Sequence, residues 1–375
     1  MKLFLIILVL LACLPSKAQA MDSDNLPDTG ISGVYEAMVG VDDADYALRY
    51  FAEFGFTPVA DVRVDAETAE RIYGVSSKLR SIRLQNGDID SHGLIRLLVW
   101  DRPLGPGVGY APPETVGVRM AVMRTEDVFR LSDVFSDWRK SGPAPLLIAG
   151  PVYDDLYGAT DGKLDVFNRR VGVREMGIYG SWFNHVFFQR YGYQIQGYGT
   201  VSTGAPLRTS ELTHHDFYVA GDLDEVTLYY RNVFGMRPES ESSELDGEWQ
   251  PGPKAVFQMG PGRSHWYRGF VSPNNICGKL KFFSADGLHT VDDRSARQRP
   301  GELGITVHSF WTPKLDFVHA RAVEAGLSPT AVNDNEFGER SFFLTGPDGA
   351  SWQVISRAES QHPVTTVFEL EKVAN

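Results

Sequence analysis

Residues 341–357, with the sequence SFFLTGPDGASWQVISR, predict two β-strands joined by a tight turn. Pro347 fixes φ at a value that suits a turn, and Asp348 and Gly349 tolerate the backbone angles of a turn. The second strand, SWQVIS, is rich in aromatic and β-branched residues, which favour strands. We therefore predict a β-hairpin near the end of the chain, with the polar side chain of Gln353 inside its second strand.

The same local pattern occurs four times along the chain: a strand, an amphipathic helix that ends at a glycine, and then further strands. The four glycines are Gly55, Gly142, Gly235 and Gly326, at separations of 87, 93 and 91 residues. Glycine commonly ends helices, but so regular a spacing favours four copies of one structural unit over four unrelated helices.

The hairpin and the repeat together resemble the βαβββ module of the vicinal oxygen chelate superfamily, which includes glyoxalases, bleomycin-resistance proteins and extradiol dioxygenases. The segment GDLDEVTLYYRNVFGM, residues 221–236, resembles the helix of that module. The resemblance covers about residues 31–358. It implies an α+β fold in which four βαβββ modules pair into two open, β-barrel-like domains. This fold hosts many chemistries, so the resemblance specifies fold more than activity.

The expected domain organisation groups consecutive modules. We predict an N-terminal domain at 31–192 and a C-terminal domain at 211–358, each with two modules. A linker rich in Gly, Ser and Thr spans 193–210, and a tail spans 359–375.

The first 20 residues predict an export signal. Lys2 precedes a short apolar run, and Ala18-Gln19-Ala20 fits the small-residue rule for signal cleavage. Alternatively, the sequence LLAC ending at Cys13 resembles a lipoprotein signal, in which this cysteine would carry lipid. Either interpretation predicts a periplasmic or secreted protein.

The composition of the 375-residue chain excludes several classes of protein. A hydrophobic content of 43% with 12% aromatic residues supports packed domains and argues against disorder. The net charge of −12 argues against a nucleic-acid partner, which binds to basic surfaces. The apolar run of the signal segment is too short to span a membrane, and no other long apolar run follows it. Cys277 lacks an internal disulfide partner if Cys13 is removed or lipidated, and we interpret it as a small buried residue.

In the superfamily, metal ligands come from the first and last strands of each module and face the interior of the barrel. Because strand side chains alternate between faces, Glu36 and Arg96 are the candidates in the first module, and Arg119 and Asn184 in the second. An internal ion pair between Glu36 and Arg96 is the alternative to a ligand-binding role for these two. We expect His185 to face away from the barrel and to pack or hydrogen-bond.

The third module offers a histidine and a lysine. Either His214 or His215 faces the interior, depending on how the loop after their strand is counted, and Lys279 and Lys281 share one face of the last strand. A histidine in such a cavity serves as a metal ligand, a general base or a hydrogen-bonding wall residue.

The fourth module offers Val307 and Gln353, with His308 on the opposite face. Zinc and iron sites need three or four His, Cys or carboxylate ligands, which neither half of the chain supplies in this alignment. The candidate metal ligands are then His215 and Gln353, and we expect either no cofactor or a single divalent metal ion. A register slip of one residue would swap faces and bring His265, His289 or His308 into a cavity.

Basic and amide groups in an aromatic barrel suit a small anionic or oxygen-rich ligand. Besides the strand residues, with Lys281 foremost among the lysines, the cluster SHWYRGF at 264–270 adds Trp266 and Tyr267 as candidate substrate contacts. Two functions fit this site. One is an enzyme of the lyase, isomerase or dioxygenase type, with His214 or His215 as base or ligand. The other is a metal-free protein that binds or sequesters a small molecule. The sequence leaves open whether the protein is a monomer or a homodimer.

Overall fold

The computed structural model describes residues 26–111, 115–142, 144–163, 168–239, 251–259, 263–285, 292–358 and 367–370. For 155–163, 168–170 and 367–370 it describes the backbone alone. The predicted signal segment 1–20, Cys13 within it, and His289 lie outside the described residues.

Four modules of similar make-up follow one another along the chain. The first comprises β1 (Glu36–Val41), α1 (Ala44–Glu53), β2 (Phe56–Val64), α2 (Ala66–Tyr73), β3 (Leu79–Asn86) and β4 (Leu94–Trp100). The second comprises β5 (Arg119–Thr125), α3 (Val128–Ser141), β6 (Leu147–Lys163), β7 (Asn168–Tyr179) and β8 (His185–Tyr191), and is followed by β9 (Tyr193–Gln196). The third comprises β10 (Thr209–Tyr218), α4 (Leu223–Val226), α5 (Leu228–Asn232), β11 (Arg237–Pro238), α6 (Pro251–Val256), β12 (His265–Val271) and β13 (Lys279–Ala285). The fourth comprises β14 (Gly304–Thr312), α7 (Leu315–Glu324), β15 (Asn333–Asp334), β16 (Arg340–Thr345) and β17 (Ser351–Ser356), with β18 (Val367–Leu370) beyond it.

The strands form two eight-stranded mixed sheets. The first has the order β15-β16-β17-β14-β1-β4-β3-β2, and the second has the order β11-β12-β13-β10-β5-β8-β7-β6. The predicted α+β fold of four βαβββ modules in two open barrel-like sheets is confirmed.

Each sheet joins modules from the two halves of the chain. β1 pairs antiparallel with β14, which brings the first module beside the fourth, and β5 pairs antiparallel with β10, which joins the second and third modules. This pairing differs from the predicted grouping, which put the first module with the second and the third with the fourth. All four copies present the same strand pattern, so local sequence carries no signal for which first strands pair.

Five helices, α1, α3, α4, α5 and α7, pack between the two sheets, whereas α2 and α6 pack on the opposite faces. Phe51 and Phe54 of α1 pack in one core with Val39 of the first sheet and with Met123 and Phe187 of the second. A second core of the same kind joins α5 and α7 with both sheets. The face of each sheet that turns away from these helices lines an interior of its own.

We call these two interiors the first and second barrels. The first is lined by Met38, Leu98 and Val307, and the second by residues that include Met120 and Phe188.

Two shorter features complete the described chain. β9, which lies in the predicted linker, pairs antiparallel with β18, which lies in the predicted tail. None of the described helices is both long enough and apolar enough to cross a membrane.

Candidate functional site

The first barrel is centred on Arg96, whose side chain is completely buried. Its guanidinium donates from Nη2 to Glu36 and from Nη1 to Oε1 of Gln353, at 2.9 Å. Glu36 also accepts from Nε of Arg83 at 2.5 Å and from the hydroxyl of Ser309 at 3.0 Å. The structure therefore brings together Glu36, Arg96 and Gln353, which alternation had placed in the barrel.

A second group of residues closes this network. Arg83 donates from both terminal nitrogens to the carboxylate of Glu339, at 3.1 and 2.8 Å. Glu336 accepts from Tyr73 at 2.7 Å, and Arg96 lies 3.3 Å from the same carboxylate oxygen. Sequence reasoning missed Arg83 and the two glutamates because it considered only the first and last strands, whereas these residues lie on β3 and in the segment between β15 and β16.

Electrostatics keeps this cluster charged. Burial alone would raise the pKa of Glu36, but Arg83 and Arg96 outweigh it and lower the pKa from 4.5 to about 2. Burial would likewise lower the pKa of Arg96, but Glu36 and Glu336 overcome that effect and raise it well above its ordinary value. Arg96 is thus a permanent cation in the middle of the strand positions that alternation placed inside the barrel.

The donor set of the first barrel does not fit a metal ion. Gln353 Oε1 and the Glu36 carboxylate both accept hydrogen bonds from the Arg96 guanidinium. A divalent cation 4 Å from this guanidinium would be repelled by about 4 kcal/mol per unit charge at an effective dielectric constant of 20. The described residues also contain no cluster of three or more His, Cys, Asp or Glu side chains that could hold a metal.

The second barrel has a different polar wall, built by β10 and β13. These strands run parallel, with His214 beside Lys279 and Asp216 beside Lys281. His214 is the histidine of the pair that faces the barrel, because its ring lies 5.9 Å from that of the barrel residue Phe188. Its Nδ1 lies 2.5 Å from the hydroxyl of Tyr198.

Glu239 connects this wall to the neighbouring strand β12. It accepts from Lys279 at 2.7 Å and from the hydroxyl of Tyr267 at 2.5 Å. The predicted candidates Lys281 and Tyr267 thus belong to the second barrel, together with His214.

Two carboxyls in the second barrel titrate near neutrality. Burial raises the pKa of Asp216 from 3.8 to about 7, although Lys281 partly opposes the shift. Burial also raises the pKa of Glu175 on β7 from 4.5 to about 7, again against Lys281 and with help from Asp154. By contrast, burial at Glu239 is outweighed by Lys279 and Lys281, which lower its pKa to about 2. The barrel thus holds a carboxylate that stays ionised, Glu239, and two carboxyls that exchange protons near neutral pH, Asp216 and Glu175. The charge of Lys281 acts on all three.

Comparison with known proteins rests on the fold. No protein-family model matches the chain, and no curated protein matches its sequence. Among solved structures, a single-site mutant of glyoxalase I from Zea mays has a TM-score of 0.50 at 14% identity, with 87% of this chain and 94% of that chain covered. A putative dioxygenase from Bacillus subtilis also has a TM-score of 0.50, at 10% identity, with 90% and 89% covered. This chain has the vicinal oxygen chelate fold.

Two other candidates lie outside the barrels of this vicinal oxygen chelate fold. Met120 and Val122 line the second barrel, so Arg119 points to the opposite face, between the sheets, which corrects the predicted orientation. Asn184 accepts from the backbone of Gly180 at 3.1 Å and donates to the carbonyl of Arg119 at 3.2 Å, so its amide fixes the turn before β8.

The face assignments of two further candidates are also corrected. His215 lies between the sheets, with its ring 4.7 Å from that of His308 in an edge-to-face arrangement. Trp266 packs against the core around α5 and α7, not in the barrel. Gln353 faces the first barrel, where it accepts from Arg96, whereas His215 lies between the sheets, so these two predicted metal ligands do not come together around one ion. His185 faces away from the barrel as predicted, and its Nε2 lies 2.7 Å from the hydroxyl of Tyr50.

Proposed function

We propose that the second barrel is the active site of a metal-independent enzyme of the lyase or isomerase type that acts on a small anionic or oxygen-rich compound. The observation that carries this proposal is the group formed by Asp216, Glu175 and Lys281. Both carboxyls have a pKa of about 7, and the charge of Lys281 acts on both. A general base or acid works best when its pKa lies near the operating pH.

Each group in this barrel has a distinct role. One of the two carboxyls, in its ionised form, removes a proton from a carbon next to a carbonyl, and the electron pair moves onto the carbonyl oxygen. Lys281 stabilises the resulting enolate by its positive charge. In a substrate with a hydroxyl on the deprotonated carbon, return of the proton to the former carbonyl carbon, with the hydroxyl proton passing to the enolate oxygen, gives isomerisation. Departure of a leaving group from the carbon on the other side of the deprotonated carbon gives elimination.

The histidine serves positioning rather than proton transfer. Burial and the nearby lysines lower the pKa of His214 well below its usual value, so its ring is neutral at neutral pH. The Tyr198 hydroxyl contacts Nδ1, which leaves Nε2 to bind an oxygen of the substrate. We therefore assign the base to a carboxyl, in place of the histidine favoured from the sequence.

Dioxygenase chemistry of the superfamily type is less well supported. Such enzymes use two histidines and a carboxylate on iron. The described residues hold no cluster of three such ligands, whereas they do hold an acid–base group.

Hydrogen–deuterium exchange in heavy water, followed by NMR, tests the proposal on a panel of compounds that share the chemistry of the expected substrate. We expect the protein to accelerate exchange of the protons next to the carbonyl in at least one of a set of 2-oxo acids, hydroxyaldehydes and phenolic ketones. Asp216→Asn should slow that exchange at least 100-fold if Asp216 is the base, or Glu175→Gln should do so if Glu175 is. Asp61→Asn, at an exposed ion pair, is the matched control and should have no effect.

If no compound of the panel exchanges its protons, the result favours the second candidate function, ligand binding without catalysis. A panel member that raises the melting temperature without exchanging its protons would favour a protein that binds or sequesters its ligand. Lys281→Met should abolish that binding, because the lysine supplies the positive charge that attracts an anionic ligand.

We also propose that the protein is exported. The support is the sequence pattern of residues 1–20, including the alternative acylation of Cys13. Mass spectrometry of the mature protein distinguishes cleavage after Ala20 from lipidation at Cys13. A cytoplasmic protein of full mass would contradict both interpretations.

A further inference from the structure

A short loop of the fourth module, residues 335–339, closes the first barrel. It joins β15 to β16 and places the carboxylate of Glu336 inside the barrel, where the side chain is completely buried. One carboxylate oxygen, Oε1, accepts hydrogen bonds from the hydroxyls of Tyr73 at 2.7 Å and Ser81 at 2.6 Å, and lies 3.3 Å from Nη1 of Arg96. The barrel thus already holds one carboxylate, in a site built from two hydroxyls and a guanidinium.

The same loop supplies a second carboxylate to a second arginine. Glu339 accepts from both terminal nitrogens of Arg83, at 3.1 and 2.8 Å. Between the two glutamates, the ring of Phe337 lies over both guanidinium groups, with its centroid 4.2 Å from Cζ of Arg83 and 5.1 Å from Cζ of Arg96. The loop therefore presents the recognition groups of a small dicarboxylate, because it offers two anions on one short turn to two cations.

The loop satisfies the polar groups of the barrel only in part. Within the part of the chain that the structure describes, the buried Oε2 of Glu336 has no hydrogen-bond partner. The same holds for Nε of Arg96 and for Nε1 of Trp100, whose ring contacts that of Tyr73 edge to face in the same barrel. Buried polar groups without a partner are costly, so the loop is an imperfect occupant of this site.

The attachments of the loop allow it to withdraw as a unit. Its own turn is closed by Asn335, whose Oδ1 accepts from the backbone N–H groups of Phe337 and Glu339, both at 3.0 Å. β15 is an exposed strand of two residues at the edge of the first sheet. Among the described residues, the hydrogen bonds from the loop to the barrel are all made by the side chains of Glu336 and Glu339. Withdrawal would break these contacts and leave the pairing of β16 with β17 intact.

Charge links withdrawal of the loop to the arrival of another anion. With the loop in place, three carboxylates face the two guanidinium groups of Arg83 and Arg96. Without it, Glu36 is the only one of the three that remains. A buried charge that loses its partner is strongly destabilising, so the loop would leave only when a ligand brings carboxylates in its place.

We propose that loop 335–339 is an autoinhibitory plug, which occupies a dicarboxylate-binding site in the first barrel and is displaced when a small dicarboxylate binds there. Arg96 and Arg83 then hold the ligand in place of Glu336 and Glu339. The proposal concerns the first barrel alone and does not depend on the function proposed for the second.

Replacement of the loop's carboxylate by a free one tests the site itself. Glu336→Ala removes a group with the shape and charge of acetate, so acetate should raise the melting temperature of this variant by several degrees more than that of the wild type. Acetamide, which has the same shape without the charge, should not replace acetate. Asp61→Ala removes a carboxylate from an exposed ion pair and is the control, which should respond to acetate as the wild type does. If Glu336→Ala folds poorly, its refolding yield with acetate and with acetamide gives the same comparison.

Calorimetric titration with glutarate, a small dicarboxylate, tests displacement of the loop. The apparent affinity of a site falls with the fraction of molecules in which it is blocked, so removal of the two loop carboxylates should tighten binding. We expect glutarate to bind the double variant Glu336→Ala/Glu339→Ala at least about tenfold more tightly than the wild type. Arg83→Met in the same background should abolish that binding, which distinguishes the first barrel from the lysines of the second.

The outcomes separate a displaceable plug from a fixed part of the fold. Stabilisation of Glu336→Ala by acetate without any glutarate binding to the double variant would identify the loop as a fixed structural element and overturn the proposal. Equal glutarate affinities in the wild type and the double variant, binding that survives Arg83→Met, or no effect of acetate on Glu336→Ala would also overturn it.

Discussion

Substitution of Glu36 by glutamine removes the anion that holds the first barrel together. Glu36 is completely buried and accepts hydrogen bonds from Arg83, Arg96 and Ser309. Glutamine preserves the size of the side chain but leaves two buried guanidinium groups with less negative charge. Its amide group also presents N–H donors toward other donors.

The structure sets the magnitude of the effect. The pKa of Glu36 falls from 4.5 to about 2 on folding, and such a difference corresponds to roughly 3 kcal/mol of stability at neutral pH. Loss of one partner from a buried ion pair costs a similar amount, about 3–5 kcal/mol. We therefore expect Glu36→Gln to lower the free energy of unfolding by about 3 kcal/mol at pH 7.

The sign of the pH dependence follows from the lowered pKa. The contribution of Glu36 is complete above pH 4.5 and is lost as pH falls toward 2, because the folded state resists protonation more than the unfolded state. The variant has no carboxyl to protonate at this position. The stability difference between the two proteins should therefore shrink to about 1 kcal/mol at pH 3.

Urea unfolding of both proteins at pH 7 and pH 3 measures these quantities. Asp61→Asn serves as the control, since Asp61 and Arg80 form an exposed pair whose loss should cost less than about 1 kcal/mol. The reasoning is refuted if Glu36→Gln costs less than about 1 kcal/mol at pH 7, or if its cost is the same at both pH values.

Three further predictions concern other parts of the molecule. Because folded Asp216 keeps its proton up to a pKa of about 7, wild-type stability should fall between pH 4 and 7; Asp216→Asn should melt above the wild type at pH 8 but not at pH 4. Asp348→Ala should lower the free energy of unfolding by about 3 kcal/mol in urea, since the buried hydroxyls of Tyr229 and Tyr230 lose their acceptor; a loss below about 1 kcal/mol would contradict this role. Dialysis against EDTA should leave the melting temperature unchanged, because Arg96 occupies the centre of the first barrel; a lower melting temperature after dialysis would count against that inference.

Several features of the fold could be predicted because their cause is local. The turn at Pro347 and Asp348 joins β16 to β17, and Thr345 pairs with Ser351 across it. Three of the four repeated glycines, Gly55, Gly235 and Gly326, adopt the positive φ that ends a helix most readily. Turn chemistry and helix ends depend on neighbouring residues, so the sequence carries them directly.

Face assignments succeeded only in part, for a physical reason. All six residues of β1 and all ten of β10 are buried, because one face packs on helices and the other fills a barrel. Alternation separates buried from exposed positions, but it cannot separate two buried faces. His214 and His215 therefore remained interchangeable in sequence, and Arg119 was placed on the wrong face.

By itself, the sequence determined the repeated module, the hairpin at 341–357 and the polar character of Gln353 within it. Only the tertiary structure decided what that glutamine does. Gln353 accepts a hydrogen bond from Arg96, 257 positions earlier in the chain, because the first and fourth modules share a sheet. Strand pairing at such a distance depends on how whole modules fit together, and that fit sets the guanidinium of Arg96 beside the last hairpin.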